Sequence, residues 1–456
     1  MKETPRGARS GRGRSGRLRA FVIAAVAGCL VGLVGGAFRW CLAHADALRG
    51  SVLETAAALG PAGRLIPVAL TALGAAVACA IAQRVPHAAG SGIQHVEAVW
   101  RQEAEARTAW LVPAKFVGGL IAIGSGLVLG REGPIVHMGA AIGSAAGRRG
   151  GLDAEYAEYA EYAEKAADAD DARMLHTALG GAGLAVAFSA PLGGLLFVCE
   201  EVTGTVRPRL VLLTLVGTVT AVATSRLLVG DGLVLPLAAL PAPPLWTLPV
   251  FLLSGVTAGA LGAAYSALVV RTLEVCDRLP RVPLVARAAV IGAGVGALMA
   301  FDPLLTGGGD QLSERLLTGG TLTVGTLVLC LAVRCVAGPL SYAAATPGGL
   351  FAPLLALGAL WGTLTHALAA PLLPAGSAGM GMGTGAAAFA VVGMAGVFTG
   401  VVRAPLTGAV LVVEMTGAGA LLLPLLIACF AATVTADRLG SEPVYDTLRR
   451  RMLERA

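Results

Sequence analysis

Three glycine-flanked segments each precede an apolar stretch, and their residue types suit the binding of a small anion. They are Gly90-Ser91-Gly92, GREGP at 130–134 and PGGLFAP at 347–353. A helix start leaves about four backbone N–H groups unpaired with a partial positive charge, and glycine keeps such groups accessible. Helix starts that meet inside a membrane would bind an anion without a full charge, which would hold it too tightly for release. The plainer interpretation is that these glycines only permit close helix packing.

Glu132, inside the second of these segments, would make such a site sensitive to protons. A carboxylate at a helix start within an apolar stretch is costly unless a proton, a cation or N–H donors neutralise it. The donors there are those that an anion would use, so carboxylate and anion exclude each other and protonation frees the site. This exclusion links proton movement to anion movement. The alternative is an ordinary helix-start acid paired with its neighbour Arg131.

Other polar residues also lie in or beside apolar stretches. Lys115 is predicted to pair with a carboxylate such as Glu97 and to give the pathway a positive potential, or else to extend towards the membrane surface. Glu201 ends an apolar stretch and could be an interfacial ion-pair partner of an arginine in 207–209. Tyr445 by itself would be an aromatic residue at the membrane interface.

These residues belong to a chain of 456 residues that is 56% hydrophobic and 14% charged, with a mean hydropathy of +0.76. Water-soluble domains carry about 25% charged residues, because a folded surface must be solvated. The composition therefore excludes disordered, nucleic-acid-binding and typical cytosolic proteins and places most of the chain in lipid. The 63 glycines, at twice the usual ~7%, indicate close helix packing or backbone opened at functional points.

Long apolar stretches provide candidates for membrane helices, since a spanning segment must satisfy its backbone hydrogen bonds internally. They cover residues 20–43, 64–83, 108–130, 174–199, 209–229, 245–270, 283–301, 321–342, 349–373, 383–413 and 418–436. Residues 1–19 are strongly basic, which predicts a disordered tail on the cytoplasmic side. A cleaved signal peptide would have a shorter apolar run.

Some of the interrupted segments form an internal repeat. GREGPIVHMGAAIG at 130–143 matches GLFAPLLALGALWG at 349–362, an offset of 219, and APLGGLLFVCE at 190–200 matches APLTGAVLVVE at 404–414, an offset of 214. A duplicated membrane unit with broken helices is typical of a transporter whose site lies near the midplane, between its halves. The repeat matches Glu200 with Glu414 and leaves Glu201 as an unmatched acid.

The remaining segments carry no predicted chemistry. The acidic repeat within 150–173 predicts a solvated linker helix, and residues 437–456 predict an amphipathic helix that carries Tyr445. The cysteines stand mostly in apolar stretches without a CxxC pair and are predicted to be small buried hydrophobes. The scattered histidines predict no metal site. No cofactor and no catalytic residue are expected.

In order along the chain, GSGIQ, PAKFVGGLIAIGSGLVLGREGPIVHMG, APLGGLLFVCEE, PGGLFAPLLALG, RAPLTGAVLVVEMT and EPVYDTL resemble the CLC chloride channel and transporter family, from about residue 20 to 450. The resemblance implies an all-α membrane protein with two inverted-topology repeats, 20–230 and 231–436. Their tilted, partly discontinuous helices would form an anion site at the midplane. It also implies a homodimer in the inner (plasma) membrane, with a separate pathway in each subunit for chloride and protons.

The resemblance also assigns roles to individual residues. Glu132 matches the external gating glutamate, and Glu201 matches the internal proton-transfer glutamate that the exchangers possess and the channels generally lack. Lys115 is a supporting charge. The implied anion-binding set is Gly90, Ser91, Gly92, Arg131, Gly133, Leu350, Phe351 and Tyr445. Glu201 therefore favours chloride/proton exchange over the alternative, a passive voltage- or pH-gated chloride channel of the same fold.

Two residues depart from the family pattern, because Gln94 and His95 follow GSGI where Pro-Glu is common. Either change could alter anion affinity or the response to pH. Ser91 favours chloride, since family members with proline there tend to prefer nitrate. An intramembrane serine protease is disfavoured because Ala89, not glycine, lies two residues before Ser91, although His95 lies at helical spacing.

Overall fold

A computed structural model describes residues 7–106, 110–149, 162–238, 240–278, 280–320, 322–369 and 382–455. Within these ranges the secondary structure is helical, apart from two isolated backbone bridges. The α-helices are α1 (Gly7–Ala58), α2 (Leu65–Arg84), α3 (Ile93–Trp100), α4 (Leu111–Gly124), α5 (Glu132–Arg149), α6 (Tyr162–Phe188), α7 (Pro191–Phe197), α8 (Pro208–Val229), α9 (Leu248–Asp277), α10 (Leu284–Phe301), α11 (Asp310–Leu317), α12 (Val324–Ala343), α13 (Phe351–Ala369), α14 (Met382–Val402), α15 (Pro405–Thr416), α16 (Leu422–Arg438) and α17 (Val444–Leu453).

Nine helices in the described part of the chain are long and apolar enough to cross a membrane. They are α1, α2, α8, α9, α10, α12, α13, α14 and α16. Several others are too short to cross alone, including α3, α7 and α15. A short helix in lipid leaves backbone groups open at its ends, which is tolerated only where protein or a polar cavity surrounds it. The short helices are therefore the places to look for a site.

Several predicted continuous stretches are broken in the structure. The stretch 174–199 divides between α6 and α7, and 383–413 divides between α14 and α15. Both breaks contain a residue in the left-handed region two positions before a proline, with φ +55° at Ser189 and +72° at Arg403. The proline then occupies the first turn of the next helix, where its missing N–H costs nothing. Because these changes in backbone direction do not alter the hydropathy, the sequence predicts each pair of helices as one continuous stretch.

Two terminal or linking segments also differ from expectation. Residues 7–19 belong to α1, so the prediction of a disordered tail is wrong for them, while residues 1–6 lie outside the described residues. Of the predicted linker, residues 162–173 form the beginning of α6, and 150–161 lie outside the described residues.

The same packing pattern occurs twice. Helix α1 packs on α8 as α9 packs on α16, and α5 packs on α6 as α13 packs on α14. The helices α7 and α15 contact each other. The predicted internal repeat is thus visible as two structurally similar halves.

Glu200 and Glu414, which the repeat matches, each bind the backbone of the other half. Glu414 on α15 accepts hydrogen bonds from the backbone N–H groups of Leu192 (3.1 Å) and Gly193 (2.7 Å), at the start of α7. Glu200, just after α7, accepts from the N–H groups of Leu406 (3.1 Å) and Thr407 (2.6 Å), at the start of α15. Each carboxylate thus caps a helix start of the other half, where the helix dipole favours negative charge.

Candidate anion site

The three glycine-flanked segments meet in one cluster of backbone hydrogen bonds. Gly130 and Gly349 each donate an N–H to the other's carbonyl, both at 2.8 Å. Gly90 donates to the Thr346 carbonyl at 3.0 Å, and Gly348 donates to the Gly90 carbonyl at 3.2 Å. Segments from both halves of the chain therefore share one site, as the repeat predicted.

Close backbone contact in this cluster requires glycine at particular positions. Gly90 (φ +66°) and Gly92 (φ +89°) adopt left-handed conformations that side chains disfavour. A Cβ on Gly133 would lie 2.5 Å from the Ser91 Oγ and 3.0 Å from the Gly349 Cα. The start of α5 thus lies directly against Ser91, and any side chain at Gly133 would force them apart.

Glu132, the first residue of α5, is fully buried at the centre of the cluster. Its Oε1 accepts the backbone N–H of Phe351, the first residue of α13, at 2.7 Å. Its Oε2 has no hydrogen-bond partner among the described residues. The acid of one half therefore occupies a helix-start donor of the other half, and a proton on it would weaken this charge-assisted bond and free the donor.

Arg131 does not neutralise Glu132 through a direct ion pair. Its Nη1 lies 3.1 Å from the Asp310 Oδ2, and its Nε donates to the Ala187 carbonyl at 3.3 Å. The alternative of a simple Arg131–Glu132 pair therefore loses its support. Of the predicted anion-binding residues, Arg131 is the one whose side chain is directed to partners outside the cluster.

Two buried hydroxyl groups complete the cluster. Ser91 and Tyr445 are fully buried, yet neither hydroxyl oxygen has a hydrogen-bond partner among the described residues. Glu132 and Glu201 are among the charges that act on the Tyr445 hydroxyl, which lies near the Ser91 side chain. The Tyr445 ring packs at 5.6 Å on that of Phe351, beside the buried Leu350. Because a buried, unpaired donor is costly, these hydroxyls suit a ligand that accepts hydrogen bonds.

The pairing predicted for Lys115 is wrong. Its fully buried Nζ donates to the carbonyls of Gly90 (2.7 Å) and Ser91 (3.2 Å), and no carboxylate of the described residues lies within 4.0 Å. Glu97 instead pairs with Arg101 and Arg449. The lysine thus binds the two carbonyl groups of the Ser91 turn, while the N–H groups of Gly90 and Ser91 donate to the Thr346 carbonyl and the Tyr342 hydroxyl.

Glu201 lies in a π-helical turn at Val198–Val202 that follows α7, and its charge acts on Tyr445. It is partly exposed, and Glu97, Asp446 and Arg101 are among the charges that act on it. No ion pair of Glu201 is formed within the described residues. The arginines proposed as its partners pair elsewhere, Arg207 with Asp170 at 3.6 Å and Arg209 with Asp171.

Comparison with known proteins decides the family. The family model described as voltage gated chloride channel matches residues 73–437, most of the chain. The chain belongs to the voltage gated chloride channel family. It is 35% identical over 443 residues to the H(+)/Cl(-) exchange transporter ClcA of Klebsiella pneumoniae (strain 342), covering 96% of this chain and 89% of the relative. Identity is also 35% with ClcA of Salmonella typhimurium (strain LT2), over 94% of this chain and 88% of that protein.

Solved structures agree with this membership of the voltage gated chloride channel family. A slow cyanobacterial Cl−/H+ antiporter superposes with a TM-score of 0.84 at 27% identity, covering 96% of this chain and 98% of that one. A CLC-type fluoride/proton antiporter superposes with a TM-score of 0.73 at 20% identity, over 96% and 98% of the two chains, and shows likeness of fold alone. The predicted family and the predicted all-α fold with two inverted repeats are confirmed.

Several residues around the site of this voltage gated chloride channel family member carry no signal in the sequence. Tyr342 accepts the Ser91 N–H at 3.4 Å, and no motif marked it. His137 packs against Gly92, where a Cβ would lie 2.2 Å from its Nδ1, and its Nε2 lies 3.0 Å from the His95 Nδ1. His95 and His137, which are far apart in the sequence, thus lie next to each other beside the Ser91 turn, because this turn brings α3 against α5.

A cavity of about 390 Å³ connects this turn with the C-terminal helix α17. Gly90 and Tyr342 line it near the site, and its charged lining consists of Arg287, Arg451, Arg455 and Asp277, of which Asp277 pairs with Arg451 and Arg455. A cavity in which basic side chains predominate attracts anions and raises their local concentration. It therefore offers an approach for anions to the Ser91 side of the cluster.

Proposed function

We propose that this protein is a secondary active transporter that exchanges chloride for protons across the membrane. The observation that carries the proposal is the bond between the Glu132 carboxylate and the Phe351 N–H, because it places an acid on a donor that an anion would use. The relatives named as H(+)/Cl(-) exchange transporters support the same activity and support transport rather than proteolysis.

In this proposal chloride is held by neutral donors. The Ser91 and Tyr445 hydroxyls and the backbone N–H groups at Leu350 and Phe351 coordinate the ion. Gly90, Gly92 and Gly133 allow these groups to approach one another. Lys115 contributes a positive potential without direct contact, and Arg131 contributes at the Asp310 side. Neutral donors with one nearby charge favour binding that is still weak enough for release.

Proton transfer in the proposal uses Glu132 and Glu201. Glu132 leaves the Phe351 donor when it is protonated and returns when it releases the proton, so chloride and the ionised carboxylate alternate. Glu201, on the other side of Tyr445, exchanges protons with the cytoplasm. The unmatched position of Glu201 in the repeat supports a role that belongs to one half only. Coupling arises because the two ligands of one site exclude each other.

Reconstituted vesicles test the exchange directly. With equal chloride on both sides and a pH gradient across the membrane, an exchanger gives a reversal potential that departs from zero, since each chloride that crosses is coupled to proton movement in the opposite direction. A reversal potential that stays at zero and follows only the chloride gradient would replace the exchanger with a passive chloride channel. Simultaneous recording of external pH and chloride gives the two fluxes separately.

The proposal extends to assembly and location. The repeats comprise residues 20–230 and 231–436, and the chain resides in the inner (plasma) membrane as a homodimer with one pathway per subunit. Exposed leucines on the paired helices α7 and α15, Leu192 and Leu406, support a contact surface there. Single-molecule photobleaching in lipid gives the subunit number, and a single bleaching step in most spots would remove the dimer.

A further inference from the structure

Arg449 is the centre of an ion-pair network on the helix that carries Tyr445. Its Nε lies 3.2 Å from the Glu97 Oε1, its Nη1 lies 2.5 Å from the Glu103 Oε2, and its Nη2 lies 3.0 Å from the Asp446 Oδ1. Only 8% of Arg449 is exposed. All three guanidinium nitrogens therefore lie within ion-pair distance of a carboxylate, each of a different residue, and Nη1 and Nη2 also donate hydrogen bonds, in a largely buried position.

The network ties together the two helices that bear the unpaired hydroxyls. Arg449 lies one turn after Tyr445 on α17. Glu97 is 2% exposed and lies on α3, whose N-cap is Gly92, next to Ser91. The Arg449–Glu97 contact thus links Ser91 and Tyr445. Helix α3 connects Ser91 to Glu97, and one turn of α17 connects Arg449 to Tyr445.

A second arginine holds the same acid from its own helix. Arg101, the C-cap residue of α3, lies four residues after Glu97. Its Nη2 lies 2.9 Å from the Glu97 Oε1 and 3.7 Å from the Asp446 Oδ1. Its side chain is 45% exposed, so this contact is screened more than that of Arg449. Removing Arg449 leaves a buried Glu97 with a single partner at the surface, which is strongly unfavourable for the observed arrangement.

We infer that Arg449 is a positioning residue for the inner closure of the anion pathway. The inference rests on the proposed function, because it concerns how Tyr445 acts there. By fixing α17 against α3, Arg449 keeps the Tyr445 hydroxyl beside Ser91, so chloride stays in the site while a proton reaches Glu132. When this tie is loosened, chloride passes without a proton.

The test compares Arg449→Gln with Arg450→Gln in the full-length protein reconstituted in vesicles. Arg450 is the matched control, because it is the next residue on the same helix and pairs only with the exposed Glu442 among the described residues. Arg449→Gln is expected to lower the number of protons carried per chloride to less than half and to weaken chloride binding, measured by calorimetry, about tenfold, as for loss of one hydrogen bond to an ion. Arg450→Gln is expected to leave both unchanged, and Arg449→Lys to restore part of the coupling.

An Arg449→Gln protein with unchanged coupling and unchanged chloride affinity would overturn the inference. If that variant does not yield monodisperse protein, Glu97→Gln cuts the same tie and is expected to uncouple in the same way. The variant with both substitutions is expected to lose no more coupling than the more affected single variant, since Arg449→Gln and Glu97→Gln remove the same contact. Losses of coupling that add in the double variant would contradict the role of this contact. If the unmodified protein carries no protons, the proposed function fails, while the chloride affinities still test the positioning role.

Discussion

Replacing Glu132 with glutamine separates the two fluxes of the proposed exchange. Glutamine keeps the size of the side chain and an oxygen that can accept the Phe351 N–H, but it carries no charge and takes up no proton. We expect Glu132→Gln to carry chloride without protons. Chloride should also bind more tightly, because its competitor for the Phe351 donor is weaker.

The size of the affinity change follows from the bond that is altered. The Glu132 Oε1 accepts the Phe351 N–H at 2.7 Å in a fully buried position. A hydrogen bond to a charged group contributes about 1.5–3 kcal/mol and a neutral one about 0.5–1.5 kcal/mol. The difference of about 1–1.5 kcal/mol corresponds to a roughly five- to tenfold gain in chloride affinity.

Two measurements on the same protein check this prediction. Calorimetric titration of chloride gives the affinity, and vesicles with a pH electrode give proton uptake during chloride efflux. Proton uptake that persists in Glu132→Gln at the unmodified rate would refute the assigned role. An unchanged affinity would refute the competition for the Phe351 donor, even if proton uptake were lost.

Other substitutions test the remaining features. Glu201→Gln is expected to abolish proton uptake and retain chloride flux, and proton uptake that persists in this variant would argue against the role of Glu201. Glu200→Gln is expected to lower the free energy of unfolding by about 1–3 kcal/mol, because it weakens a helix cap. Flux measurements in vesicles and thermal unfolding of both variants distinguish these two effects. Gly133→Ala is expected to weaken chloride binding, because its Cβ would lie 2.5 Å from a hydroxyl oxygen of the site. Gly147→Ala on the same helix, with its nearest contact at 3.5 Å, should bind chloride normally, and equal affinities in the two variants would show that the close contact does not matter.

The sequence predicted contacts within the candidate site at positions where the residues are close along the chain or are matched by the internal repeat. Gly130 and Gly349 were matched at an offset of 219, and they form two backbone hydrogen bonds with each other. Glu132 was placed at a helix start with donors nearby, and the donor proved to be Phe351 of the other half. Spacing and polarity suffice here because a helix start, a glycine and an acid dictate their own geometry.

The sequence did not predict contacts that depend on the path of the chain. Lys115 was assigned to Glu97, yet Glu97 contacts Arg449, more than 300 positions away along the chain. Nothing local distinguishes Arg449 from the two arginines that follow it, since only the packing of α17 on α3 buries it. The breaks at Ser189 and Arg403 were missed for a related reason, because a reversal of φ changes direction without changing hydropathy.

The exchange of Glu200 and Glu414 between the halves has a consequence for how the chain can be divided. Each half presents an acceptor that it does not use and a pair of amides that it does not satisfy, so isolated fragments would be mutually dependent. If the polypeptide were cut in the connection between α8 and α9, either fragment alone would leave two amides and one carboxylate without partners. Produced together, the fragments would regain both sets of bonds, and co-purification of the two pieces would reveal it.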